Sequence, residues 1–396
     1  MSIKLGNGKW AVKVGKLLSY KTIGQRYFNT EFDFARSSTS TKVNKDGYIE
    51  DIAADIPRID FTDSEEGALV TEDSSTNLFT YPISFSNTAW HKQKCKIIGD
   101  SSNTGSELIT NGNFSDGSTG WVVGANWSVA NNKASVNGGN TDLEQGVSVS
   151  GGNFYLVTYT ISDYVQGGWR TQVGGKYGTS FRNPQEEFTE KAGNGEYSEY
   201  IEAENSNAFE IRPTDSGQFS ISNISIKQVQ AFDGPKVDSY GNFEKNAYKL
   251  VEGDNPPGNT DNGKHNLMSY HSIAVSQWGK YSFSIYAKKA ERRWLRIEGM
   301  PNTDALAYFD LESGVVGTVS SSYPAKIEAL ANGWYRCSVT GLAHTTHTSH
   351  KPIFSVVDAN NSYEYQGDGT SGIYIAYAQV EENLYASSLM LPTTEG

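Results

Sequence analysis

The 396-residue sequence is short of several things at once, and each shortage excludes a class of protein. Its two cysteines, Cys95 and Cys337, are too few for a disulfide framework. No run approaches the roughly 18 apolar residues of a membrane span, so membrane insertion is not expected. The amino terminus, MSIKLGNGKW, lacks the apolar core of a secretory signal. The product is therefore expected to stay in the cytosol until something else releases it. Long basic runs are missing, and 33 basic against 45 acidic residues give a net charge of −12. A phosphate backbone is then not an expected partner, so nucleic acid is set aside. The sequence contains no G-x-S-x-G elbow, Walker loop or HExxH, and none of the short repeating rungs of a parallel β-helix. No enzyme is expected.

What is present points to strands. Glycine reaches 40 residues, aromatics 12 %, and tyrosine alone 23, while proline stays at 11 and long helical periodicity is absent. Tyrosine-rich runs punctuated by Gly, Ser, Thr and Asn suit antiparallel strands joined by turns, so the class is all-β. In YLVTYTI, Tyr155, Val157, Tyr159 and Ile161 alternate with Leu156, Thr158 and Thr160. In YSFSIYAKK, Tyr281, Phe283 and Ile285 alternate with Ser282 and Ser284. In GWYRCSVTG, Tyr335, Cys337 and Val339 alternate with Trp334, Arg336 and Ser338. A period of two marks half-buried strands, and it puts Cys337 on a core face.

Two openers resemble each other, NLFTYPISFSNTAW from Asn77 and ELITNGNFSDGSTGW from Glu107. Two closers follow, SISNISIKQV ending at Val229 and IYIAYAQVEE ending at Glu382. Roughly 16 residues separate the openers, against the order of 100 a sandwich needs. Nesting accounts for the order: a β-sandwich over 77–104 and 230–396 is interrupted by a complete jelly-roll sandwich over 105–229. Residues 1–76 carry too little apolar content for an independent core, and are expected to pack on another chain or a larger assembly.

The run DFARSSTSTKVNKDGYIEDIAADIPRIDF, followed by TNLFTYPISFSNTAW, resembles a block common in tailed-phage structural proteins. Arg36, Ser37, Ser38, Thr41, Lys42, Val43, Asn44, Gly47, Ile49 and Glu50 occupy its first part, with lysine at Lys42 where arginine is more usual. Pro57, Arg58, Ile59 and Asp60 occupy the second part, and Thr76, Asn77, Leu78, Phe85 and Trp90 the third. The C-terminal runs YSFSIYAKK, NGWYRCSVT and GDGTSGIYIAYAQVEE are similar to the carbohydrate-binding-like sandwich of the same proteins. TNGNFSDGSTGW is similar to the opening of jelly-roll modules in phage tail and adhesin proteins. The resemblance implies a virion protein assembled in the host cytoplasm. It also implies an N-terminal segment attached to other virion proteins, and a homotrimer.

In VQGGWRTQVGGKYGTSFRNP, Trp169, Tyr177 and Phe181 stand among glycines with Arg170 and Arg182. Aromatic faces stack on sugar rings and arginines bond hydroxyl or carboxylate groups, so these five residues are candidates for glycan binding. The other reading makes the aromatics core residues of a hairpin. DNPPGNTDNG, from Asp254 to Gly263, offers oxygen ligands for a structural calcium without the ordered spacing of an EF-hand. The pairs Glu65-Glu66, Glu186-Glu187 and Glu381-Glu382 read as solvated surface, since neighbours on a strand point to opposite faces. In HTTHTSH, His344 and His350 would share one face of a strand and His347 the other, so one chain cannot bring all three to one metal ion. The expected function is a fibre or appendage contributing to adsorption on host-surface carbohydrate. A purely structural capsid or tail protein is the alternative, with a glycan hydrolase a minor one.

Overall fold

The computed structural model describes residues 2–3, 11–23, 26–85, 89–177, 192–203, 208–253, 263–269, 272–299, 305–320, 323–343 and 349–391. Among them regular structure is strand, apart from one 3-10 turn at Ala331–Gly333. The all-β reading holds. The chain forms two compact units, one of Met1–Ile97 with Phe232–Gly396 and one of Ile98–Ala231. The second begins at Ile98 rather than 105 because the strand Asp100–Glu107 pairs with Ala208–Gln230.

The inserted unit is organised by two long strands, Phe154–Val173 and Ala208–Gln230, which pair antiparallel with register shifts around Gln166. Gly167 has φ +70° at this bend, and a Cβ there would sit 2.6 Å from the Gly217 Cα, so only glycine fits. Tyr155, Val157, Tyr159 and Ile161 are all buried, with Leu156, Thr158 and Thr160 half-buried between them, as the alternation requires. They join Phe114, Trp121, Trp127, Trp169, Phe209 and Phe219 in one apolar core.

The split unit is built on two large sheets, with smaller sheets beside them. The smaller of the two runs Val315–Ser320, Leu306–Asp310, Trp294–Glu298, Ile353–Val357, Asn266–Ser269, Trp90–Gln93. The larger runs Ala325–Ala329, Trp334–Leu342, Lys280–Lys289, Gly372–Glu381, Phe243–Glu252, Phe232–Val237, Ile49–Ile52, Ser40–Val43. Phe283, Ile285, Cys337 and Val339 from the larger sheet and Leu295, Ile297, Phe309 and Phe354 from the smaller are all buried. The sheets meet closely: a Cβ on Gly341 would lie 2.5 Å from that of Ala305.

The larger sheet departs from the half-buried pattern. Ser282, Ser284, Trp334, Arg336 and Ser338, which alternation turns toward solvent, are buried too. Two remote stretches cover that face. Ile49 and Leu389 join Tyr286, Trp334, Ala376 and Tyr377 in a second apolar cluster, with Val43, Ile83 and Leu391 against it. Residues 36–76 therefore pack on this chain's own sandwich, whereas the sequence reading expected residues 1–76 to pack on another chain or a larger assembly.

Residues of the block from Asp33 to Trp90 shape that segment and tie it down. Arg36 donates to the carbonyls of Ser38, Ile52 and Ala53. Lys42 pairs with Glu50 across the hairpin at 3.0 Å, and Asn44 accepts from the Asp46 and Tyr48 amides to shape its turn. Thr41 Oγ1 donates to the Leu389 carbonyl, and Arg58 to Glu72 and the Ser388 hydroxyl. Asn77 bridges the Ala378 carbonyl and the Val380 amide. Lys236, 2 % exposed, lies between Asp51 at 2.9 Å and Glu244. Burial would lower its pKa, but the two carboxylates outweigh that and raise it. Ala11–Lys13, Lys16–Ile23 and Arg26–Asp33 form a separate three-stranded sheet.

Candidate functional site

The covered face of the larger sheet is not filled. Strands and covering segments leave a cleft of about 500 Å³. Register lines its floor in rungs: Glu328 opposite Arg336 opposite Tyr286, then Lys326 opposite Ser338 opposite Ser284. Beyond them Thr340 stands opposite Ser282, and Ser282 opposite Glu381. One wall brings Thr41, Asp60 and Glu72, and the other is the stretch from Leu384 to Leu389. That stretch is fastened from below. Glu381 accepts from the Ser387 amide at 2.9 Å and hydroxyl at 2.7 Å, and Gln379 Oε1 from the Met390 amide.

Arg336 is the chemical centre of the floor. It is 7 % exposed, its Nη2 reaches Ser284 Oγ at a long 3.3 Å, and its Nε has no hydrogen-bond partner among the described residues. The guanidinium carbon stands 5.4 Å from the centre of the Tyr286 ring. Burial pushes its pKa down, but Tyr286, Glu328, Glu381 and Glu72 outweigh that and raise it, so it stays a cation. Lys326 bonds Glu328 at 2.7 Å and lies 3.6 Å from Asp63; these carboxylates outweigh burial and raise its pKa. Burial, with Glu328, Asp60 and Glu72 nearby and against the opposing charge of Arg336, pushes the Tyr286 phenol up to about 12. The cleft offers hydrogen-bond donors and acceptors of both signs beside apolar walls, which suits a small hydroxyl-rich ligand.

The sequence-chosen residues lie elsewhere. Trp169 is 3 % exposed in the core of the inserted unit, where its Nε1–H donates to Tyr159 Oη at 2.9 Å. That ring is not presented for stacking on a sugar, which corrects the glycan assignment of Trp169; the hairpin-core reading describes it. Tyr159 donates in turn to Glu199, 2 % exposed, as does Thr171. Arg170 is half-buried opposite Arg212, and Tyr177 pairs with Gln172. Phe181 and Arg182 lie outside the described residues.

His350 is 3 % exposed on a two-residue strand paired with Ile273–Ala274, while His344 and His347 lie outside the described residues. So do residues 254–262 of the calcium candidate and the pair Glu186-Glu187. No group of three metal-ligating side chains occurs among the described residues. Neither cysteine forms a disulfide: Cys95 is half-buried and its thiol donates to the Asn266 carbonyl at 3.1 Å, and burial raises the pKa of Cys337. Glu65 and Glu66 are exposed as expected, but Glu381 is fully buried, so only Glu382 of that pair faces solvent. Sequence reasoning missed Arg336, although one signal was present: a tryptophan and an arginine share the face read as solvent-exposed in GWYRCSVTG.

No family model and no curated protein matches the chain. Among solved structures, the N-terminal CBM22-1–CBM22-2 tandem domain from Paenibacillus barcinonensis Xyn10C is 12 % identical, with a TM-score of 0.26. The match covers 72 % of this chain and 100 % of that one. An anti-sigma factor domain-containing protein, also 12 % identical, covers 59 % of this chain and 84 % of that one at a TM-score of 0.14. Likeness this loose carries neither fold nor function, which rest on the strands and the cleft themselves.

Proposed function

We propose that the chain is a bacteriophage virion protein, a fibre or appendage that contributes to adsorption on host-surface carbohydrate. The observation that carries the virion part is the block from Asp33 to Trp90, whose matched residues include Thr41, Arg58 and Asn77, which bond Leu389, Ser388 and Ala378 outside it. The three-stranded sheet from Ala11 to Asp33 joins no other sheet among the described residues, and is the part we assign to attachment on other virion proteins. The adsorption part is supported by the cleft over Arg336, whose hydroxyls, carboxylates and cations suit a sugar. A homotrimer would multiply weak sites through avidity.

Mass spectrometry and cryo-EM of particles made by the genome that encodes the chain test the reading. The chain is expected on the particle exterior, and its absence from particles overturns the proposal. A chain present on particles but indifferent to host-surface glycan would leave the purely structural alternative.

A further inference from the structure

We propose that the cleft over Arg336 binds a carboxylate-bearing sugar residue, with the Arg336 guanidinium as partner of the carboxylate. The inference rests on the adsorption reading and names the ligand class for it.

The unmatched group in the cleft is a cation. A guanidinium more than nine-tenths buried, with one long bond to a hydroxyl and no carboxylate bonded to it among the described residues, is costly, and an arriving carboxylate relieves that cost through a charge-assisted bond to the guanidinium edge that faces the cleft. The acids of the cleft are already engaged. Asp60 accepts from the Val43 and Thr62 amides, and Glu72 from Arg58 and the Ser388 amide. Glu328 and Asp63 share Lys326, and Lys42 is paired with Glu50. A ligand carboxylate therefore finds one open partner, while a ligand ammonium finds its natural partners taken.

The surroundings distinguish a sugar from a bare carboxylate. The hydroxyls of Thr41 and Ser338 donate to the carbonyls of Leu389 and Lys326, which leaves their lone pairs to accept from ligand hydroxyls. Tyr385, 41 % exposed, also lines the cleft and offers a ring for stacking. The cleft volume of about 500 Å³ falls within the range of small-molecule sites.

The test compares three probes on the full chain by ligand-observed NMR: glucuronate, its neutral isostere glucuronamide, and acetate. Glucuronate is expected to bind about tenfold to a hundredfold more tightly than glucuronamide, and more tightly than acetate. Arg336→Met is expected to erase the preference, and Arg336→Lys to restore part of it. Equal binding of glucuronate and glucuronamide, or no binding of either, overturns the inference. Acetate binding as well as glucuronate overturns the sugar class. The wild-type comparison decides even if Arg336→Met does not fold. Adsorption of the same preparation to host cells is measured in parallel: if it persists while the probes fail, the ligand assignment falls and the adsorption reading stands.

Discussion

The two units bury their strands differently. The inserted unit surrounds one apolar core, and its buried polar groups are few and local, as in the chain from Trp169 through Tyr159 to Glu199. The split unit buries both faces of its larger sheet. Its inner face is apolar, while its outer face carries the ladder of Arg336, Ser338, Ser284, Gln379 and Glu381. An apolar core closes by area alone, because the hydrophobic effect has no direction. A buried polar face closes only if each donor meets an acceptor, so it requires particular covering segments. The opening left over Arg336 lies on that second kind of surface.

If the difference is real, it appears first as separate responses to mutation, since multidomain chains unfold in more than one step. The largest expected effect is Trp169→Ala, which empties part of the insert core and costs about 3–5 kcal/mol there. Denaturant unfolding followed by circular dichroism should show one transition shifted and the other unmoved. Equal shifts in both would break the comparison. Glu381→Gln comes next, because it weakens the bonds to Ser387 and removes a buried charge that accepts them. The expected loss is about 1–3 kcal/mol, confined to the split unit.

Acid gives the smallest and broadest contrast. In the split unit Asp310 is held below its ordinary pKa: burial would raise it, but bonds from Arg293, Ser313 and the Glu312 amide outweigh that. Bonds from Ser371 and Thr370 hold Asp368 low, and Lys249 outweighs burial to hold Glu291 low. A carboxylate so depressed binds fewer protons folded than unfolded. Its contribution is complete above the unfolded value, near about pH 4, and is lost as pH falls through the folded value. In the inserted unit Asp163 is depressed by Lys133 and Ser220, whereas Glu210 is raised by burial and then by Asp142 and Glu144. A raised carboxylate favours the folded state as it protonates, so the two oppose each other. Thermal melts from pH 6 to pH 3 should therefore lower the split unit's transition more than the insert's. The reverse order would count against the assigned bonds.

Much of this fold was legible because strand alternation is local. Tyr155, Val157, Tyr159 and Ile161 were read as one face from seven consecutive residues, and all four are buried. The same rule misread GWYRCSVTG, because alternation separates two faces without saying whether the second is covered. The sequence left Trp169 open between a glycan contact and a hairpin core, since aromatics among glycines read alike whether a strand turns them inward or outward. Arg336 could have been suspected from its tryptophan neighbour on the same face, but nothing near it in sequence names its cover.

The sequence by itself determined the all-β class and which residues of each strand share a face. It also carried the block whose residues bond the cover in place. These follow from backbone geometry and side-chain type within a few positions. Only the tertiary structure decided that the outer face of the larger sheet is buried and that a cleft remains over Arg336. The cover is assembled from stretches as distant as Thr41 and Leu389, 348 positions apart, whose hydrogen bond exists only once the sandwich has folded between them.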